Sequence, residues 1–483
     1  MDIVTPDVQL IALAPEIVLI IVAFLMLFFG PLVGGPKTKG GPKVGGVVSL
    51  LALTAAFLVN LYIGQDEIVT LGGMIVKDTF SLYFNALVII AAVFSIIISF
   101  GYIDKFAIKE GEFYLLILFS TVGMMLMGSS TDLLSIFLAL ELMSIPIYVL
   151  VGFRKENLRA REASFKYFIL GAVSSGIFVY GAALVYGSLG TTNLTEIAEA
   201  LGSNITPLFL LGSAFIISGF LFKISAVPFH MWTPDVYEGA NLPITAYMSV
   251  GVKAAAFSAF LRFAVVDLAN SGDSWVLAIA FVAVATMALG NTAALAQNNL
   301  KRLLAYSSIA HVGYILVALI AGSEYGISSI LFYLFIYIVV NLGIFSLLVY
   351  FSKDAKECET MDDLAGLGYA HPLMAVCMGI FLFSLAGIPP TGGFMGKLFL
   401  FIAAVKEGYV WLVVVAVIAS GVSVYYYLKV MMALFAKGKG KAQKIKNPFA
   451  ALVVVIAAII TIYLGVMPGH FMELARLCAA ALF

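Results

Sequence analysis

The stretch SGFLFKISAVPFHMWTP, Ser218 to Pro234, puts a lysine inside an apolar membrane-length segment and then interrupts that segment with two prolines. A second stretch, LAGIPPTGGFMGK from Leu385 to Lys397, repeats the combination of an apolar run, a Pro-Pro-Thr-Gly-Gly break and one lysine. Proline removes a backbone donor and clashes with the preceding turn, so both segments read as broken helices. In hydrocarbon, a broken helix is tolerated only where its freed backbone groups face protein or a polar cavity. Broken helices in corresponding positions of two halves mark a repeat transporter.

Outward from those breaks, the chain is apolar throughout. Of its 483 residues 62% are hydrophobic and 11% charged, with a mean hydropathy of +1.08. Globular chains run near 25% charged, so this is an integral membrane protein. Apolar runs of about 20 residues predict 14 spans, near 8–29, 44–64, 80–101, 113–130, 133–152, 163–188, 207–228, 242–266, 274–296, 303–321, 325–351, 372–401, 409–435 and 448–467. The expected fold is all-α, with about 14 transmembrane helices. The two breaks fall in the seventh and twelfth spans. Five is an odd separation, so repeats of spans 4–8 (residues 111–268) and 9–13 (269–436) would have inverted topology. Residues 1–110 form an N-terminal group of three spans, and 437–483 hold the last span and a short tail.

Charge placement tests that count. Loops after odd-numbered spans hold 19 of the 27 lysines and arginines, and the opposite side holds 4. The rest, Lys223, Lys253, Lys397 and Lys429, lie within spans. By the positive-inside rule both termini face away from the cytoplasm (or matrix or stroma). The start of the chain has no basic n-region and reads as a retained first helix. No soluble domain is expected. Disorder is expected only in GPLVGGPKTKGGPK (Gly30–Lys43) and KGKGKAQKIK (Lys437–Lys446).

Several chemistries are excluded. Twenty-seven basic and 27 acidic residues leave no net charge to attract a nucleic acid. Three cysteines without CxxC spacing cannot ligate an iron–sulfur cluster, and four scattered histidines do not suit a haem. TGGFMGKL lacks the first glycine of a phosphate loop. No cofactor is expected in this chain.

Four ionisable residues then stand out: Glu141 in FLALELMSIP, Lys223 at the first break, Lys253 in MSVGVKAAAF and Lys397 in GGFMGKLFLF. A charge near the bilayer centre costs roughly 2.5–3.5 kcal/mol on insertion scales, and such residues mark ion or proton routes. Glu141 reads as an anion that tunes a lysine, against a buried carboxylate bonded to a neighbouring helix. At about 7 Å and an effective dielectric near 20, the pair interacts by roughly 2.4 kcal/mol. Lys223 reads as a proton store, against a structural pair with Glu141. Lys253, among small residues that leave room for water, reads as a relay, against a polar packing contact. Lys397 reads as an end station, against a cap on the broken helix's carbonyls. His311 in AYSSIAHVGYI is equally a relay or a satisfied core residue. Lys429 reads as a snorkelling anchor. His230, Asp235 and Glu238 form a water entrance or a turn.

The string KISAVPFHMWTPDVYEGANLPITA (Lys223–Ala246) resembles the signature of the antiporter-like subunits of respiratory complex I and of Mrp-type cation/proton antiporters, as do KRLLAYSSIAHVGY (Lys301–Tyr314) and ELMSIPIY (Glu141–Tyr148). That resemblance implies Glu141 as the fifth-helix carboxylate and Lys223 as its lysine partner. It implies Lys253 as central relay and Lys397, in its GFxGK context, as exit-side lysine. It further implies proton translocation driven by quinone reduction elsewhere. NADH, FMN, iron–sulfur clusters and quinone then belong to partner subunits. The expected neighbours are the antiporter-like subunit M and the small subunits K, J and A, within the lipid bilayer.

Overall fold

The computed structural model describes residues 8–33, 44–64, 67–106, 108, 110–201, 205–271, 273–353, 356–436 and 447–483. Of the stretches expected to be disordered, residues 30–33 are instead the last turn of α1, and 34–43 and 437–446 lie outside the described residues. In chain order the long helices are α1 (Ala14–Val33), α2 (Val44–Tyr62), α3 (Thr79–Ser99), α4 (Glu110–Ser129), α5 (Leu133–Val151), α6 (Leu158–Leu189), α7 (Pro207–Ile224) and α8 (Leu242 to Ser271). They continue with α9 (Asp273–Leu295), α10 (Leu300–Leu319), α11 (Glu324–Phe351), α12 (in two halves, Pro372–Ala386 and Gly392–Lys406), α13 (Val410–Leu434) and α14 (Pro448–Val466). Thirteen helices among the described residues are long and apolar enough to cross a membrane. The expected twelfth span is instead two half-helices of 15 residues each.

Local chemistry fixes where these helices start and stop. Asp132, Asn157, Thr206, Asn299 and Ser323 cap α5, α6, α7, α10 and α11 by accepting from first-turn N–H groups. The two breaks are built alike. α7 ends at Ser225 (φ 69°) and the first half of α12 ends at Gly387 (φ 80°), both left-handed. Beyond each, an N–H reaches back five residues: Ala226 to Leu221 O at 2.8 Å and Ile388 to Phe383 O at 2.9 Å.

A second correspondence runs between the halves. Asp132, the cap of α5, pairs as an isolated bridge with Asn193, and Asn299, the cap of α10, pairs with Thr360. Both bridges enclose the same length of chain. α4 packs on α5 as α9 packs on α10.

The core sits around α11, whose membrane-length window is wholly buried, with α8 and α10 beside it. α1, α2, α6, α9, α13 and α14 form the outside. One element departs from the all-α expectation. Ile68–Thr70 (β1) and Ile75–Lys77 (β2) pair as an antiparallel hairpin between α2 and α3. β-branched residues flank Leu71, Gly72 and Gly73, all at positive φ, which close a turn too short for a hydropathy window to register.

Gly393 makes the second break possible: a Cβ there would lie 1.9 Å from the Ser384 carbonyl oxygen. Gly393→Ala should therefore lower stability by about 1–3 kcal/mol or more, read by thermal unfolding in detergent. Gly421→Ala, with nothing within 4 Å of the added carbon, should leave stability unchanged or slightly raised.

Candidate functional site

Lys223 closes the last turn of α7, where no surface of its side chain reaches solvent. Its ammonium donates to Ser144 Oγ at 2.8 Å and Tyr148 OH at 3.2 Å, both on α5. The rings of Tyr148 and Phe222 lie 5.5 and 5.7 Å away. It does not form an ion pair with Glu141. The α7 break is sealed without the lysine: Trp232 Nε1 donates to Phe222 O at 3.0 Å, and Val227 N to Thr286 Oγ1 at 3.0 Å.

Glu141 faces another way. It accepts a hydrogen bond from Ser175 of α6 and lies on the stripe of α5 that exposes Leu134, Leu138, Ile145 and Val149. It is half-buried, on the outside of the bundle.

Lys253 follows a π turn, Met248–Val252, inside α8. Such turns shift the register of a helix face and recur at functional positions. Its ammonium is buried and donates to Ser308 of α10, to the hydroxyl and, at 3.3 Å, to the carbonyl. Ser308 lies as far past the Asn299 cap as Glu141 lies past Asp132, so the second half carries a hydroxyl where the first carries an acid. One turn on, His311 is buried between Tyr333 of α11 and Tyr427 of α13, its Nε2 3.0 Å from the Tyr427 hydroxyl. That hydroxyl also meets Ser307 Oγ at 2.5 Å.

Lys397 caps the break it follows. It donates to Leu385 O at 2.8 Å, Ala386 O at 3.3 Å and Ser420 Oγ of α13 at 2.8 Å, with the Tyr314 ring 4.7 Å away. The carbonyl-capping role is thus realised, and it coexists with contact to the α10 face. Ser307, His311 and Tyr314 share that face at helical spacing. Lys429 bonds Gln297 O and Asn298 Oδ1 at the end of α9, so it ties two elements together.

The signature strings meet in space. On the basic face, Arg302 of α10 holds Asp235 at 2.6 Å and Glu238 at 3.0 Å, both in the short helix Trp232–Gly239 that follows the first break. Lys166 of α6 adds a second cation to Asp235 at 2.9 Å. Burial raises the Asp235 carboxyl, but these two cations overcome it and hold the group below the ordinary carboxylate range. His230 is half-buried with Nδ1 unpartnered.

Two buried ion pairs were not singled out from sequence. Glu16 of α1 and Lys77 of β2 meet at 2.5 Å with side chains 2% and 0% exposed. Arg262 of α8 grips Asp78, the cap of α3, at 2.7 and 2.9 Å. Each joins residues more than 60 positions apart near the end of a span, where a charge reads as interfacial. Among the described residues, no group of three His, Cys, Asp or Glu could hold a metal ion.

Fold and site define a class: a polytopic membrane protein with two broken helices and a row of buried lysines, the architecture of antiporter-like subunits. The family model for the NADH:quinone oxidoreductase/Mrp antiporter membrane region matches residues 130–423, and the chain belongs to that family. It is 42% identical to NADH-quinone oxidoreductase subunit N of Trichlorobacter lovleyi, over 97% of this chain and 96% of that one. It superposes on a chain of respiratory complex I from Thermus thermophilus with a TM-score of 0.82 and 33% identity, covering 96% of this chain and 99% of the other. A chain of an archaeal membrane-bound sulfane sulfur reductase gives 0.88 at 26% identity, covering 98% of both.

The Glu16–Lys77 pair carries its own prediction. Lys77→Met alone leaves a buried carboxylate unpaired and should cost about 3–5 kcal/mol, whereas Glu16→Leu with Lys77→Met should recover most of that loss. Unfolding midpoints of the two variants and the native chain in detergent read the difference.

Proposed function

We propose that this chain translocates protons along its buried lysines, as a non-redox subunit of a proton-pumping NADH:quinone oxidoreductase. One observation carries the reading. Lys223, Lys253 and Lys397 are buried in membrane-embedded helices, and among the described residues none has a carboxylate within ion-pairing distance. Desolvating an ion costs several kcal/mol, while each hydrogen bond to a charged group returns about 1.5–3 kcal/mol. Their partners are hydroxyls and carbonyls and not carboxylates. A charge arriving about 7 Å away changes the balance by roughly 2.4 kcal/mol at an effective dielectric near 20. That is enough to load or unload a lysine.

In this reading the two halves, 111–268 and 269–436, are inverted repeats, and the equal bridges at their α5 and α10 caps support it. Residues 1–110 and 437–483 flank them. Lys223 stores, Lys253 relays, His311 with its tyrosines continues the line along α10, and Lys397 ends it. Glu141, on the outer face, responds to a neighbouring subunit and alters proton occupancy at Lys223 through its field. Quinone reduction in other subunits, which hold NADH, FMN, iron–sulfur clusters and quinone, supplies the energy. Subunits M, K, J and A are the neighbours, in the bacterial inner membrane, with both termini on the non-cytoplasmic side. The alternative assembly is an Mrp-type antiporter or membrane-bound hydrogenase. The likeness to a sulfur reductase chain favours keeping it, because it sets the same fold in a different respiratory complex. Neighbouring genes for flavin and iron–sulfur subunits would separate the two.

Inverted vesicles bearing the assembled complex provide the test. Lys223→Met, Lys253→Met and Lys397→Met should each abolish most NADH-driven proton uptake while the complex still assembles. His311→Phe should reduce it partially. Full uptake by all three lysine variants, with normal assembly, overturns the reading.

A further inference from the structure

On the basic face, a cavity of about 940 Å³ opens between the α5–α6 loop and the start of α10. Glu357, Glu359, Lys301, Arg154 and Ala240 line it. Lys301, 2% exposed, is shared by two carboxylates: Glu357 at 2.7 Å and Glu359 at 3.0 Å. The two acids are unequal. Glu357 is 3% exposed and also takes the Tyr102 hydroxyl, the Leu242 N–H at 3.4 Å and Arg154 at 3.7 Å. Burial pushes the Glu357 carboxyl up, but Lys301 and the Tyr102 hydroxyl hold it below its ordinary value. Glu359 is 29% exposed to the cavity. Burial raises its carboxyl, Lys301 opposes, and the Glu357 anion raises it again, leaving it above the ordinary range. Asp363, whose carboxylate accepts the Glu359 N–H at 3.3 Å, and its partner Lys356 lie beside it, and Lys155, Glu156, Arg159 and Glu238 line the same cavity. Arg154 gives Glu357 a second cation, and of the two acids Glu359 is the one open to the cavity.

Beside that cluster lies a segment with unpartnered polar atoms. Lys301 donates to Ala240 O at 3.0 Å. The next residue, Asn241, is 2% exposed and its Nδ2 has no partner. The hydroxyls of Tyr237 and Thr233, both fully buried in the same segment, have none either. Tyr237 faces Ser308, which holds Lys253. A buried polar group without a partner costs about 1–3 kcal/mol. Water is the ligand that fits three such polar atoms in one segment.

We propose that the cavity is a proton-entry vestibule, in which Glu359 collects protons from solvent and passes them through water at Asn241 and Tyr237 to Ser308 and Lys253. The proposal rests on the relay reading above. Hydronium gives its proton to the Glu359 carboxylate and becomes water. The neutral acid then protonates the segment's water and returns to carboxylate. Successive hydroxyls hand a proton on until the Lys253 amine becomes an ammonium.

The assembled complex in inverted vesicles, with this face outward, tests it by the initial rate of NADH-driven proton uptake against pH. Native uptake should slow as pH rises through the raised Glu359 value, because the collecting acid is then empty. Glu359→Gln should be about tenfold slower, the scale by which charged clefts raise capture rates, and should lose that alkaline limb. Glu359→Asp should keep both rate and limb. Tyr237→Phe, which leaves the charges in place, should slow uptake while keeping the limb. If Lys253→Met abolishes uptake but Glu359→Gln and Tyr237→Phe both pump with native rate and pH profile, the vestibule is overturned and the relay stands. If Lys253→Met pumps normally, the relay reading falls.

Discussion

Everything in this molecule is arranged around one constraint: backbone groups freed by a helix break cannot be left bare in hydrocarbon. Two breaks therefore have to lie inside, and the elements that cover them become the core. The two are closed by different means. At α7 an indole N–H and a threonine hydroxyl supply the missing partners, so Lys223 is left to bond Ser144 and Tyr148. At α12 the lysine itself supplies them, donating to Leu385 and Ala386. In the first half charge and backbone are separate, and in the second they are joined.

The same economy of partners runs through the middle of the protein. Lys253 bonds Ser308, and next to it on α10 Ser307 and His311 meet through the Tyr427 hydroxyl, a group that can give and accept. α10 contributes Ser307, Ser308, His311 and Tyr314, and it is held at its start by Arg302 and Lys301. The helix that presents the line is thus anchored at the basic face by four carboxylates.

Much of this was legible in the chain. Hydropathy and proline placement are local signals, so the spans, both breaks and the lysines could be read from residues a few positions apart. The partners could not. Ser144, Tyr148, Ser308 and Ser420 look like ordinary helix residues, and nothing in their neighbourhood says that an ammonium reaches them. Glu16, Lys77, Asp78 and Arg262 sit near span ends, where charge is cheap, so their burial was invisible. Lys301 and Glu357 lie in separate basic-side segments more than 50 residues apart. The hairpin after α2 is shorter than any window that averages hydropathy.

Glu141 has a consequence for the life of the chain before assembly. Its stripe on α5 is otherwise leucine, isoleucine and valine, and a carboxylate at such a place costs roughly 2.5–3.5 kcal/mol against lipid. A copy whose stripe faces lipid carries that penalty, and a polar surface laid over the stripe would remove it. An uncovered Glu141 is therefore a mark of orphanhood, a charge on a lipid-facing stripe that a covered copy does not present.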